Sequence, residues 1–127
     1  MPKDFDKWNK QKQALHAHTG DAFAHPREIW WCALGANIGA ETDGKNESLE
    51  RPILVMRVYN RDTLLILPLI SRKQDDKFHF KITRGEVITF AKLTQSRVIS
   101  GKRLLRKICT VPKNQFDDLH RALIVLL

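Results

Sequence analysis

The most constraining stretch of the chain is residues 50–72, "ERPILVMRVYNRDTLLILPLISR". Two apolar, β-branched runs, at about residues 52–59 and 63–70, flank the tripeptide Asn60-Arg61-Asp62. Asn and Asp stabilise tight turns by hydrogen-bonding their own backbone, so the stretch reads as a β-hairpin. It opens on Arg51-Pro52 and closes on Ile70-Ser71. A hairpin with two such apolar runs has to be buried, and a fold that buries it is built mainly of strands.

The rest of the chain agrees. Residues 28–34 (EIWWCAL) read as a strand with two apolar faces, because neighbouring side chains point to opposite sides. One face suits the core, and the other needs a helix, a long loop or a second subunit as cover. Residues 77–82 (KFHFKI) alternate cleanly, and residues 87–91 and 92–99 supply one or two further strands. "SGKRLLRKI" predicts a short helical turn and then a last short strand. After Pro112, the residues Phe116, Leu119, Leu123 and Leu126 lie on one stripe of a C-terminal helix, with Pro at its first turn. Near the N-terminus, Phe5, Trp8, Lys12 and Leu15 fall at helical spacing and end near Gly20, which predicts an added amphipathic helix. The polar, glycine-bearing segment 35–50 is too long for a tight turn, and loops of that length are commonly functional. The expected architecture is therefore mainly β: a small, strongly bent barrel with one terminal helix. Its parts are an N-terminal helical extension at 1–22 and a barrel domain at 23–127.

At 127 residues and 43% hydrophobic, the chain suits one core. It has no apolar run of about 18 residues that would span a membrane. Its charged N-terminus is unlike a secretory signal. Cys32 and Cys109 lack a paired spacing and read as buried thiols of a cytoplasmic protein. The net charge is +8, and its location is informative: residues 92–113 carry seven basic side chains and no acidic one. Such a run is either a solvated face or a surface for a polyanion, nucleic acid or an acidic protein.

Chemistry-bearing motifs are few. The five histidines show no zinc-ligand spacing, so no metal is expected. There is no nucleophile elbow, phosphate loop or dinucleotide fingerprint, and no cofactor is expected. Arg51 stands at the mouth of a strand, just after the long loop that carries Glu41. There it either pairs with Glu47 or Glu50 on the surface, or turns its rigid guanidinium fork toward a phosphate.

Taken in order, "REIWWCALGANIGAE", "ERPILVM", "LPLIS", "LTQSRVISGKRLLRKI" and "FDDLHRALIVLL" resemble the MazF/PemK family of toxin–antitoxin endoribonucleases over residues 27–127. The resemblance implies an SH3-like barrel, a homodimer, and metal-independent cleavage of single-stranded RNA by attack of a 2′-hydroxyl on phosphorus. It also implies an acidic antitoxin as partner. The family's arginine falls on Arg51, its loop glutamate on Glu41, and its Gln-x-Arg pair on Gln95 and Arg97. Its strand-end threonine falls on Ile70, with Ser71 next to it; Ser71 can take that place where the strand ends or bulges. An acidic position of the family is Thr94 here, and Lys92 lies close by. The implied site is thus Arg51 and Ser71 as catalytic groups, with Glu41, Lys92, Thr94, Gln95 and Arg97 binding RNA.

Two other readings stand beside this one. A barrel that binds RNA without turnover accommodates Ile70, although Trp30, Trp31, Phe78, Phe80 and Phe90 look more like core than like stacking platforms. A gyrase-inhibiting toxin on the same architecture would act through its C-terminal helix, whose tail "DDLHRALIVLL" lacks an aromatic end.

Overall fold

A computed structural model describes residues 23–34 and 50–127. The N-terminal helix expected at 1–22 and the segment 35–49, Glu41 included, lie outside the described residues.

The described residues form seven strands and one helix: β1 (Glu28–Ala33), β2 (Glu50–Asn60), β3 (Thr63–Ile70), β4 (His79–Arg84), β5 (Val87–Lys92), β6 (Arg97–Ile99), β7 (Leu104–Thr110) and α1 (Lys113–Leu126). The central hairpin is as expected. β2 and β3 pair antiparallel from Ile53↔Pro68 to Asn60↔Thr63, and Asp62 N donates to Asn60 Oδ1 at 2.9 Å in the turn. β1 lies on the far side of β2, and β7 lies beyond β1.

β3 has two different partners on its other edge. Leu64, Leu65 and Ile66 pair with β6, whereas Leu69 and Ile70 pair with β5. The sheet therefore divides along β3 and bends strongly there. It does not close into a barrel: β4 and β7 are its outer edges.

This bend accounts for the two apolar faces of β1. Ile29 joins Leu54, Leu67, Leu69, Ile82, Ala91 and Val111 under α1, which contributes Leu119 and Leu123. Trp30, Cys32 and Leu34 join Ile53, Val55, Leu64, Ile66, Ile99 and Leu104 on the opposite side. Both faces of β1 are thus covered within the chain itself, the second by residues of β6 and β7 that the bend brings over it.

One boundary differs from the sequence reading, and the turn and strand read in "SGKRLLRKI" take definite bounds. β4 begins at His79 instead of Lys77, because Asp76 accepts a hydrogen bond from Phe78 N at 2.9 Å and holds the preceding residues in a turn. Phe78 is exposed as a result, contrary to its reading as core. The helical turn in "SGKRLLRKI" covers only Gly101–Arg103, and β7 takes the seven residues that follow. Gly101 is required at that turn. A Cβ there would stand 2.6 Å from the Arg61 carbonyl oxygen, and Gly101 N donates to the Asp62 carbonyl at 3.2 Å. This docks the β6–β7 corner onto the tip of the central hairpin.

The entry to β1 is fixed by a buried carboxylate. Arg27 adopts the left-handed conformation (φ 78°) and exchanges backbone hydrogen bonds with Val55 and Val111. Glu28 is then buried. Its carboxylate accepts from His25 N at 2.7 Å and from Trp30 Nε1 at 3.1 Å, and it pairs with Lys107 at 2.9 Å. Burial acts to raise its pKa, but the bonds from Lys107, His25 and Trp30 outweigh it and hold the carboxyl below the usual carboxylate range. A depressed folded-state pKa stabilises the fold above the unfolded value, about 4.3 for glutamate, and that contribution is lost as pH falls through the folded one. Glu28→Gln should therefore lower the denaturant midpoint at pH 7, and the gap to the parent protein should shrink as unfolding is followed into the range below pH 4.

Candidate active site at the end of the third strand

Strand alternation assigns one face of the bent sheet to a set of cations. On β2, Arg51 lies on the same side as Ile53 and Val55, opposite to Pro52 and Leu54. Across the ladder its partner on β1 is Cys32. Arg51 is only 6% exposed, and its Nη1 donates to the Leu69 carbonyl oxygen at 3.3 Å. The guanidinium thus lies against the C-terminal end of β3, and Arg51 is not a solvated surface arginine. Its neighbour Glu50 faces the other way and binds Arg106 through both carboxylate oxygens, at 3.4 and 3.1 Å.

Ile70 is the last residue of β3 and by alternation shares the Arg51 face. Ser71 follows directly, outside the strand and exposed. The strand end that Ser71 needs in order to leave the alternation is therefore present.

β5 brings Lys92 to the same side. Phe90 pairs with Ile70, and Lys92 lies two residues further along. Burial, followed by the Arg51 charge, pushes the Lys92 amine below the ordinary lysine range. The chain then turns through the short 3₁₀ segment Leu93–Gln95, with Thr94 exposed and Gln95 half-buried. Arg97 opens β6 opposite Ile66.

Arg103, which the sequence reading did not single out, completes the set. Burial and then the Arg97 charge lower its pKa, while Cys32 acts in the opposite direction. Arg51, Arg97 and Arg103 thus gather around Cys32, Lys92 lies near Arg51, and the pairs Arg51–Lys92 and Arg97–Arg103 sense each other's positive charge. Like charges gathered in this way attract anions, and partial burial strengthens that attraction.

The other cations of the basic run do not belong to this group. Arg106 is bound by Glu50 and lies over the Trp31 ring, 5.2 Å from its centroid, on the opposite face. Lys107 pairs with Glu28 and Lys113 with Asp117. The run of seven basic residues without an acid is therefore compensated in three places by acids distant from it in sequence or on α1. Among the described residues, no group of three or more His, Cys, Asp or Glu side chains could hold a metal ion.

Cys32 lies fully buried beneath these arginines. Burial pushes its thiol up to about 12, against the opposing pull of Arg103 and Arg97. The reactive species is the thiolate, so Cys32 is chemically quiet despite its cationic surroundings. Iodoacetamide at pH 8 should modify Cys32 only after unfolding, which peptide mass spectrometry of native and denatured samples would show.

Several known proteins share this arrangement of strands and helix. The family model described as "PemK-like, MazF-like toxin of type II toxin-antitoxin system" matches residues 25–127. MazF (Form-I) from Deinococcus radiodurans superposes with a TM-score of 0.70 at 18% identity, covering 84% of this chain and 97% of that one. The MazE–MazF (Form-II) structure from the same organism gives 0.65 at 16% identity, with 84% and 96% covered. An endoribonuclease in complex with its cognate antitoxin, from a mycobacterial species, gives 0.64 at 10% identity, with 81% and 93% covered. None of the curated proteins compared matches the chain. At these identities the superpositions establish the fold, and the family follows from the model match over most of the chain. The protein belongs to the PemK-like, MazF-like toxins of type II toxin–antitoxin systems.

Proposed function

We propose that this protein is the toxin of such a pair and cleaves single-stranded RNA in the cytoplasm without a metal ion. The observation that carries this reading is the buried Arg51, braced on the Leu69 carbonyl at the end of β3 with Lys92 beside it. In the reaction a ribose 2′-oxygen bonds to the adjacent phosphorus and the 5′-oxygen leaves, giving a 2′,3′-cyclic phosphate and a 5′-hydroxyl. Negative charge accumulates on the phosphoryl oxygens as the new bond forms. A preorganised, partly desolvated guanidinium stabilises that charge without reorganising, which is where such a site gains most of its rate.

Ser71, freed from strand alternation, supplies a hydroxyl to a phosphate oxygen in place of the one missing at Ile70. Lys92, Arg97, Gln95 and Thr94 hold the RNA backbone, and Glu41 contributes from the long loop. The same cations attract an acidic antitoxin, whose binding covers the site and is accelerated by the opposite charge. The toxin acts as a homodimer. Ile70 favours a second reading, in which the basic face binds RNA without turnover.

The test is a ribonuclease assay in chelator on a long single-stranded RNA. Arg51→Ala should slow cleavage by about 10²- to 10³-fold and leave folding intact. RNA binding without cleavage by the wild-type protein would establish the second reading instead.

A further inference from the structure

Among the described residues, the site above holds Arg51, Lys92, Arg97 and Arg103 but no imidazole or carboxylate that could act as a base. One lies on the adjacent strand. His79, the first residue of β4, pairs directly with Lys92 of β5. Directly opposed residues of an antiparallel pair project to the same side, with Cβ atoms about 5 Å apart. His79 therefore belongs to the face that carries Lys92, Phe90, Ile70 and Arg51, while Phe80 and Ile82 turn to the helix-covered core.

Its imidazole is also held in one orientation. Nδ1 lies 2.7 Å from Asp76 Oδ1, and the His79 side chain is 16% exposed. Asp76 is itself fixed by the bond it accepts from Phe78 N. The hydrogen bond with His79 is the largest of the causes that keep the Asp76 carboxyl below its ordinary range. An ionised carboxylate only accepts, so the proton of the neutral ring resides on Nδ1 and the lone pair on Nε2. A carboxylate behind one imidazole nitrogen fixes the tautomer and stabilises the imidazolium that forms when the other takes a proton.

We propose that His79, oriented by Asp76, is the general base of the cleavage reaction. The assignment rests on the endoribonuclease reading above. Nε2 removes the 2′-hydroxyl proton as the 2′-oxygen bonds to phosphorus. The P–O5′ bond breaks, and the 5′-oxygen takes a proton from water. The imidazolium then returns its proton to solvent. The charged groups facing His79 are Asp76 from the preceding loop, Lys81 two residues along β4 on the same side, Lys92 from β5 and, beyond it, Arg51 from β2. Asp76, bonded to Nδ1, stabilises the imidazolium as it forms.

The experiment is the pH dependence of kcat/KM in chelator, from pH 5 to 9, on a long single-stranded RNA. Wild type, His79→Gln, His79→Ala and Arg51→Ala are compared, with RNA affinity measured in parallel. The wild-type rate should rise with pH on the acid side of the profile, as a reaction that needs an unprotonated base requires. His79→Gln should lose about 10²-fold or more and that rising limb, with RNA affinity within a few-fold of wild type. Added imidazole should restore part of the His79→Ala rate. A His79→Gln rate within about threefold of wild type overturns the assignment, as does a lower rate that keeps the limb and gains nothing from imidazole. Either result leaves the endoribonuclease reading in place if Arg51→Ala is still inactive. Wild-type protein that binds RNA without cleaving it ends both.

Discussion

The divided pairing of β3 is the constraint on which the rest of the structure depends. One strand cannot satisfy β6 along its first half and β5 along its last two residues unless the sheet bends sharply where the partners change. The bend brings β6 and β7 over the second face of β1, so that a chain this short buries both sides of a Trp-bearing strand. It also leaves the end of β3 as a corner walled by β2 and β5. Arg51 lies against that corner, and the Leu69 carbonyl that accepts its hydrogen bond belongs to the part of β3 that changes partner.

Electrostatics follow from the same geometry. The cationic stretch between residues 92 and 113 is one run in the sequence, yet strand pairing separates it into two populations. Arg106 and Lys107 turn toward Glu50 and Glu28 and help to fix β7 against β1 and β2. Lys92, Arg97 and Arg103 turn to the side of Arg51 and Cys32, where burial and mutual repulsion lower the pKa of Lys92 and Arg103. The second group places several positive charges at one corner, and such a concentration of one sign attracts anions.

Much of this was legible in the sequence, and what was not has definite causes. The central hairpin and the C-terminal helix were plain because their signals are local: Asn60 and Asp62 for the turn, and Phe116, Leu119, Leu123 and Leu126 for the helix stripe. Arg51 could be singled out from the residues of its family resemblance, although its burial against Leu69 could not. Arg103 and His79 were missed, and Cys32 was read only as a buried thiol, because their significance depends on cross-strand register. No one-dimensional period reveals that Cys32 stands opposite Arg51 or His79 opposite Lys92. The compensation of Arg106 by Glu50 was invisible for the same reason, since 56 positions separate them. Closure into a barrel was expected from the number of short strands. Among the described residues the sheet instead keeps open edges at β4 and β7.

The central claim is that RNA is engaged by the Arg51 face of the bent sheet and not by its Arg106 face. The most direct measurement is an NMR titration of the isotopically labelled protein with a single-stranded RNA carrying 2′-O-methyl groups throughout, which binds but cannot undergo 2′-hydroxyl attack. Shift changes concentrated at Arg51, Ser71, Lys92, Arg97 and Arg103 are the predicted result. Changes centred on Trp31, Glu50 and Arg106, with the Arg51 corner unmoved, would contradict it.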